Sequence, residues 1–298
     1  MSAKPLVSAI IPTLNGAATL PYLLEGLASA AARIPLEIVA VDSGSRDDTT
    51  ALLRQAGATV LDLGGRPFAH ASARNRAAAH AAGAILLFLT QDVTPAGAEW
   101  LAPLLAALDE PAVAGAFGRQ IPRDASPEEA FLVRANYGLA PRAITVAALE
   151  RFGPGATLFS TAFGAMRRAV WEAHPLPDIV MSEDQAWAGE VLRAGLTIRY
   201  TPEAAVYHGH RLSLARAFRR NFDSGSSLQQ LGLTGGVWSA GLAHLRSELA
   251  SIAGEHGMLA ASHALIYESV RMAGFQCGRL ERWLPRALAR LLGEAPRS

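Results

Sequence analysis

The sequence predicts an α/β fold built on a mostly parallel central sheet. Three observations carry that expectation. Apolar runs of strand length alternate with helix-length amphipathic segments through the first hundred residues. One run, Leu86-Leu87-Phe88-Leu89, is apolar throughout, as befits a strand buried on both faces. The runs also end abruptly in polar groups: Thr13 and Asn15, then Asp42, then Asp92. Parallel strands share a carboxyl edge, and ligands of open α/β sheets bind along it.

The first strand is Leu6 to Ile11, followed by a loop, Pro12-Thr13-Leu14-Asn15-Gly16, and a helix from Thr19 to Ala32 with Leu20, Leu23, Leu24 and Leu27 on one face. Glu37 to Val41 is the second strand. It runs into Asp42-Ser43-Gly44-Ser45-Arg46-Asp47-Asp48-Thr49, which is turn chemistry with a helix cap inside it. A helix from Thr49 to Ala56, a strand from Ala58 to Leu61 and a helix from Ala71 to Ala82 lead to the central strand. Phe68-Ala69-His70 opens that helix, and Arg74 in its first turns can reach a diphosphate or a nearby carboxylate. Asp92, just past the central strand, either holds a hard cation or caps the turn that Pro95 and Gly97 mark.

A helix is expected from Ala98 to Leu108 and a strand from Val113 to Gly118. Residues 123–160 read as irregular, a mobile region on the acceptor side. Phe159 to Met166 reads as a strand that feeds a helix at Arg167. Ser182-Glu183-Asp184 reads as a cap and two acids opening a helix to Ala194; acids there suit the helix dipole, which predicts lowered carboxylate pKa values. Two short strands follow, Leu196 to Tyr200 and Ala204 to Tyr207. His208-Gly209-His210 then serves either as an ordinary turn or as a partner for a carboxylate-held metal. A basic helix, Leu212 to Phe222, is expected to break at Asp223-Ser224-Gly225-Ser226-Ser227. From Val237 to Leu292 the pattern is helical, interrupted at Gly254, Gly257, Gly274 and Pro285. Its arginines at 271, 279, 282, 286 and 290 suit a peripheral membrane face, a partner helix, or a solvated face packed on the sheet. The division drawn is 1–225 for the sheet domain and 226–298 for a helical extension.

Composition narrows the function. The chain has 298 residues, half of them hydrophobic, ample for a large core. A formal net charge of +1 argues against general nucleic-acid binding. Cys277, the single cysteine, rules out an internal disulfide and a zinc–cysteine cluster and fits a reducing cytoplasm. Met1 to Pro5 is too short for a signal n-region, and no apolar run is long enough to span a bilayer.

Taken as an ordered set, Ile11-Pro12-Thr13-Leu14-Asn15, Val41 to Thr49, Ala73-Arg74-Asn75, Thr90-Gln91-Asp92 and Ser182-Glu183-Asp184 resemble the family 2 glycosyltransferases over about residues 6–225. The resemblance implies a glycosyltransferase-A fold, a nucleotide-diphosphate-sugar donor and inversion at the anomeric carbon. It implies that Pro12, Thr13, Asn15, Asp42, Ser43, Arg74, Gln91 and Asp92 bind the nucleotide sugar. Asp92 and His208 would hold Mg2+ or Mn2+, and Asp184, with Glu183 as runner-up, would be the catalytic base. The first acid of the family's Asp-any-Asp metal motif is here Thr90, a form similar to rhamnosyltransferases. That similarity favours deoxythymidine-diphosphate-rhamnose as donor and a glycan or lipid-linked acceptor, met in the cytoplasm or on the inner face of the membrane. Arg219-Arg220-Asn221 stands where processive members carry Gln-any-any-Arg-Trp, so addition of one sugar is expected. Two other classes stay open: a silent nucleotide-sugar-binding module and a nucleotidyltransferase.

Overall fold

The computed structural model describes residues 6–63, 69–152, 157–232 and 237–294. Met1 to Pro5, Phe68 and residues 153–156, on which some of the expectations above fall, lie outside the described residues.

Nine strands form one sheet. They are β1 (Val7–Thr13), β2 (Leu36–Asp42), β3 (Thr59–Asp62), β4 (Ile85–Leu89), β5 (Thr94–Pro95), β6 (Val113–Ile121), β7 (Arg142–Ile144), β8 (Phe163–Arg167) and β9 (Thr197–Tyr207). The order is β3-β2-β1-β4-β8-β6-β9-β5, with β7 also on β9. β1 to β4, β6 and β9 run in one direction, while β5, β7 and β8 run against them. The reversed β8 lies between β4 and β6, so its start reaches the same edge as their carboxyl ends. Alternate side chains of each strand point to opposite faces. Ile10, Val41 and Phe88 therefore face a core shared with α3 (His70–His80) and α8 (Glu183–Arg193). Ile11, Ala40 and Leu87 face a second core under α1 (Leu20–Ala31), α2 (Thr49–Gln55) and α4 (Ala102–Ala106).

Several expected elements differ in extent. Helix α4 is shorter than expected because Pro103 sets its first turn, and Trp100 and Leu101 are buried ahead of it. The described residues between 123 and 160 include α5 (Pro127–Asn136), β7 and α6 (Val146–Phe152), where an irregular stretch was expected. Ser126 caps α5 by accepting the Glu129 N–H at 3.4 Å. Phe159 to Ala162 is loop rather than strand: the chain folds back so tightly that a Cβ on Gly164 would strike the Ser160 carbonyl. β8 then leads into the short α7 (Arg168–Ala173). β9 is one strand rather than two. Its register against β6 slips between Gly118 and Arg119, and that bulge accommodates Pro202.

The C-terminal helices are α9 (Leu214–Gln230), α10 (Val237–His256), α11 (Met258–Arg279) and α12 (Arg286–Leu292), with a 3-10 turn at Glu281–Trp283. Asp223 to Ser227 does not break α9, and neither Gly254 nor Gly274 interrupts its helix. Their small residues serve contact instead. A Cβ on Gly225, Gly274 or Gly278 would run into the backbone carbonyl of Phe275, Phe218 or Phe222, so α9 and α11 cross at backbone distance. The division at 225 falls inside α9.

Candidate active site

Along the shared edge opens a cleft of about 690 Å³. Its walls come from the ends of β1 and β4, the loop before β8, the starts of α3 and α8, and the cleft-facing sides of α5, α9 and α11. Pro12, Thr13, Ser43, Arg74, Gln91, Asp92, Glu183, Asp184 and His208 all line it. Asn15 and Asp42 stand behind that wall. Asp42 accepts from Thr13 Oγ1 (3.0 Å), Ser45 Oγ (2.6 Å) and the Gly44 and Ser45 N–H groups (3.0 and 2.8 Å), which locks the loop after β2 against β1. Asn15, in the left-handed region at φ 46°, ties the same loops together: its N–H donates to Ser45 Oγ and its Oδ1 accepts the Arg46 N–H.

The Gln91 side chain is turned back on the loop. Its Oε1 accepts the Leu14 N–H and its Nε2 donates to the Leu14 carbonyl, each at 2.9 Å. A Cβ on Gly16 would lie 2.5 Å from Gln91 Oε1, so a larger residue there would displace the Gln91 side chain from this position. Ser43 Oγ, buried at the cleft wall, has no hydrogen-bond partner among the described residues. A buried hydroxyl left free in this way fits a wall built to meet a polar ligand.

Arg74 is committed to a carboxylate. Its Nη1 lies 2.6 Å from Glu183 Oε1, both side chains being almost fully buried. Asp184 accepts the Gln185 N–H at 2.9 Å and the Thr161 N–H at 3.4 Å. Burial, then the Glu183 carboxylate beside it, pushes the Asp184 carboxyl up to about 7 against the pull of Arg74 and the two N–H groups. This reverses the lowered pKa expected from the helix dipole: enclosure and a like charge outweigh it. Ser182 holds the N-cap position of α8 as expected, but its side chain makes no capping hydrogen bond. It adopts φ 65° and its hydroxyl donates to Ser224 Oγ on α9 at 3.3 Å.

At the other end of the cleft, Asp92, His208 and His210 present ligand atoms all within 4.8 Å of one another. His208 Nε2 lies 3.6 Å from Asp92 Oδ1, and His210 Nδ1 lies 4.0 Å from Asp92 Oδ2. The His208 ring is oriented by Gln120, whose amide Nε2 donates to Tyr137 Oη (2.8 Å) and Ser160 Oγ (2.9 Å). Those bonds turn Gln120 Oε1 to accept from His208 Nδ1 at 2.8 Å. Among the described residues, the buried His208 Nε2 atom has no hydrogen-bond partner and faces Asp92 and His210. One carboxylate and two imidazoles, one of them aimed by an outer hydrogen bond, fit a divalent cation. Burial alone would raise the Asp92 carboxyl, but His208, Thr90 and His210 more than offset it, so it sits below the usual carboxylate range. Burial, then the charge of His208, holds His210 down to about 4, so its imidazole is neutral at physiological pH.

His210 and Gln120 were not singled out as site residues from sequence. His210 had a signal, since residues two apart after a strand can project together. Gln120 had none, because its role depends on Tyr137 and Ser160, far away in the chain.

Comparison with known proteins agrees with this architecture. Residues 8–173, more than half of the chain, match the family model described as Glycosyl transferase family 2. The O-antigen chain rhamnosyltransferase RfbN of Salmonella typhimurium is 30% identical over 224 residues, 74% of this chain and 71% of that protein. The O-antigen chain rhamnosyltransferase WbaN of Salmonella anatum is 31% identical over 195 residues, 64% of this chain and 62% of that one. Among solved structures, the mannosyltransferase PcManGT of Pyrobaculum calidifontis, in complex with GDP-Man and Mn2+, superposes with a TM-score of 0.61 at 18% identity, covering 96% of this chain and 89% of that one. The sheet and its helices thus take the glycosyltransferase-A fold. A family match over most of the sheet domain, joined to a relative alike over most of both chains, leaves one assignment: this chain is a glycosyltransferase and belongs to glycosyl transferase family 2.

Proposed function

We propose that the chain transfers one rhamnose, with inversion, from deoxythymidine-diphosphate-rhamnose to a hydroxyl of a lipid-linked glycan, in building a cell-surface polysaccharide at the cytoplasmic face of the membrane. The observation that carries this reading is the meeting of Asp184 with the Asp92–His208–His210 cluster in one cleft. The names of the two Salmonella relatives support the sugar, and the PcManGT complex supports a nucleotide sugar with a divalent cation.

The chemistry follows from the side chains. The acceptor hydroxyl attacks the anomeric carbon from the face opposite the diphosphate. Its proton passes to Asp184, the new C–O bond forms, and the bond to the diphosphate breaks with its electron pair on the leaving oxygen. The two backbone N–H groups fix the Asp184 carboxylate, and the Arg74–Glu183 pair fixes the start of α8. Asp92, His208 and His210 would hold Mg2+ or Mn2+, which would supply Lewis-acid neutralisation of the leaving diphosphate. Asp42, Asn15 and Gln91 act by holding the loops that meet the nucleotide, while Pro12, Thr13 and Ser43 form the wall it touches.

The test is incubation with a panel of nucleotide sugars, with and without Mn2+ and a glycan acceptor. Release of deoxythymidine diphosphate together with a rhamnosylated product is expected, suppressed by EDTA. Pyrophosphate release would instead mean nucleotidyl transfer, and binding without turnover a silent module; either overturns the proposal.

A further inference from the structure

The C-terminal helices carry an outward surface that the cleft does not use. The outer face of α11 reads Leu259, Ser262, Ile266, Ser269 and Ala273, all exposed and none charged, at the three-and-four spacing of one helical stripe. The same spacing leads on to exposed Leu280, and Trp283 follows with 70% of its surface open. On α12, Ala289 is buried against the body. At 100° per residue, Ala287, Leu288 and Leu291 then form an arc pointing away from it, with Arg286 and Arg290 on one flank. Leu291 is 69% exposed. A solvated surface helix would bury its leucines, and this one displays them.

Arginines outnumber the acids around this surface, where Glu281 and Glu294 also lie. Glu268 is spent on Arg271 at 2.6 Å, Glu281 accepts from Ser226, and Glu294 is spent on Arg216 at 2.8 Å. Arg282, Arg286 and Arg290 face outward, the first with its guanidinium 4.9 Å from the Trp283 ring centroid. Among the described residues no helix is long and apolar enough to cross a membrane. An apolar arc with an exposed tryptophan and arginines beside it matches a bilayer interface with anionic headgroups. A second copy is a poorer occupant, because a two-fold contact through this face would set the arginines of one copy against those of the other.

We infer that Leu280, Trp283, Leu288 and Leu291, with Arg282, Arg286 and Arg290, seat the protein on an anionic lipid surface. The inference deepens the proposed function, since a lipid-carried acceptor would be met there; Arg271 on α11 lines the cleft. Vesicle binding is read without sugar transfer, so either idea can fail alone.

The experiment is flotation of the full chain with vesicles of phosphatidylglycerol and phosphatidylethanolamine, against vesicles of phosphatidylcholine alone. Binding to the anionic vesicles is expected, weakened by salt. A blue shift in emission on binding should vanish in Trp283→Phe. Each of Arg282→Gln, Arg286→Gln and Arg290→Gln should lower partitioning about fivefold. Leu288→Ser with Leu291→Ser should lower it further, and all these variants should keep wild-type release of nucleoside diphosphate. The inference is overturned if the protein ignores anionic vesicles, or if the triple arginine variant binds them as wild type does. A dimer in lipid-free sedimentation that Leu291→Ser dissolves would also overturn it.

Discussion

Replacing Asp184 with Asn should cost activity and add stability, and the stability gain should depend on pH. The Asp184 carboxyl rises from 3.8 to about 7 on folding because burial and Glu183 disfavour its charge. A rise of that kind makes the buried charge cost a few kcal/mol, as an order of magnitude. The sign follows from proton linkage. With the folded pKa above the unfolded one, the native state carries no penalty below about pH 4; the penalty grows between about 4 and 7 and is complete above. Asp184→Asn keeps an oxygen for the Thr161 or Gln185 N–H and removes the charge. At about pH 8 the variant should therefore be more stable by up to a few kcal/mol, several degrees in Tm, and at about pH 4 it should melt with the wild type. Above about pH 7 transfer should fall about 100- to 10,000-fold, as for loss of a general base, and the gap should narrow at lower pH, where the wild-type carboxyl is protonated. In the wild type the rate should climb with pH through about 7 as the base ionises. Thermal melts at the two pH values and initial rates of sugar transfer test both halves. Transfer within a few-fold of wild type, or a Tm difference that does not change with pH, would refute the assignment.

Other substitutions probe the surrounding parts. Glu183→Gln should lower stability by about 3–5 kcal/mol in urea melts, because the buried Arg74 loses its counter-charge. Gln91→Ala should weaken donor binding about tenfold, with a smaller change in kcat, since two hydrogen bonds to Leu14 are lost; a donor titration reads this. Gln120→Ala should lower Mn2+ affinity about 10- to 100-fold in a metal titration by freeing the His208 ring. Gly278→Ala should destabilise by about 1–3 kcal/mol, because its methyl group meets the Phe222 carbonyl where α9 crosses α11.

Much of the sheet was legible because strand ends announce themselves. An apolar run that stops at Asp42 or Asp92 gives the strand, its direction and its useful edge at once. What stayed hidden depended on tertiary context. Gly225 and Gly274 read as interruptions, and a glycine that ends a helix looks the same in sequence as one that lets two helices touch. Leu196 to Tyr200 and Ala204 to Tyr207 read as two strands, yet the slip of β9 against β6 accommodates Pro202 between them in one. The residue types at 182–184 fitted a cap, and the helix start was indeed there, but the pKa argument failed because the dipole is local whereas burial is not. The helix at Pro127 had a readable signal in Ser126-Pro127-Glu128-Glu129, a cap followed by proline and acids, which the scattered prolines and glycines around it obscured.

The altered Thr90-Gln91-Asp92 motif makes sense as a change in where charge is kept. A carboxylate at 91 could accept the Leu14 N–H but would repel the Leu14 carbonyl; only an amide satisfies both. With Thr at 90, the cluster holds one ionised carboxylate, Asp92, and the neutral imidazole of His210 beside His208. A divalent ion seated among such groups would retain about one unit of positive charge toward the diphosphate, more than a pair of acids would leave it. Arg74 gives its Nη1 to Glu183, and Arg220 adds positive charge at the cleft. Arg220 of α9 lines it and is close enough to disfavour protonation of both His70 and His210. The single carboxylate of the cluster, the Arg74–Glu183 pair and the nearness of Arg220 to both His70 and His210 together leave the cleft with more positive than negative charge near Asp92.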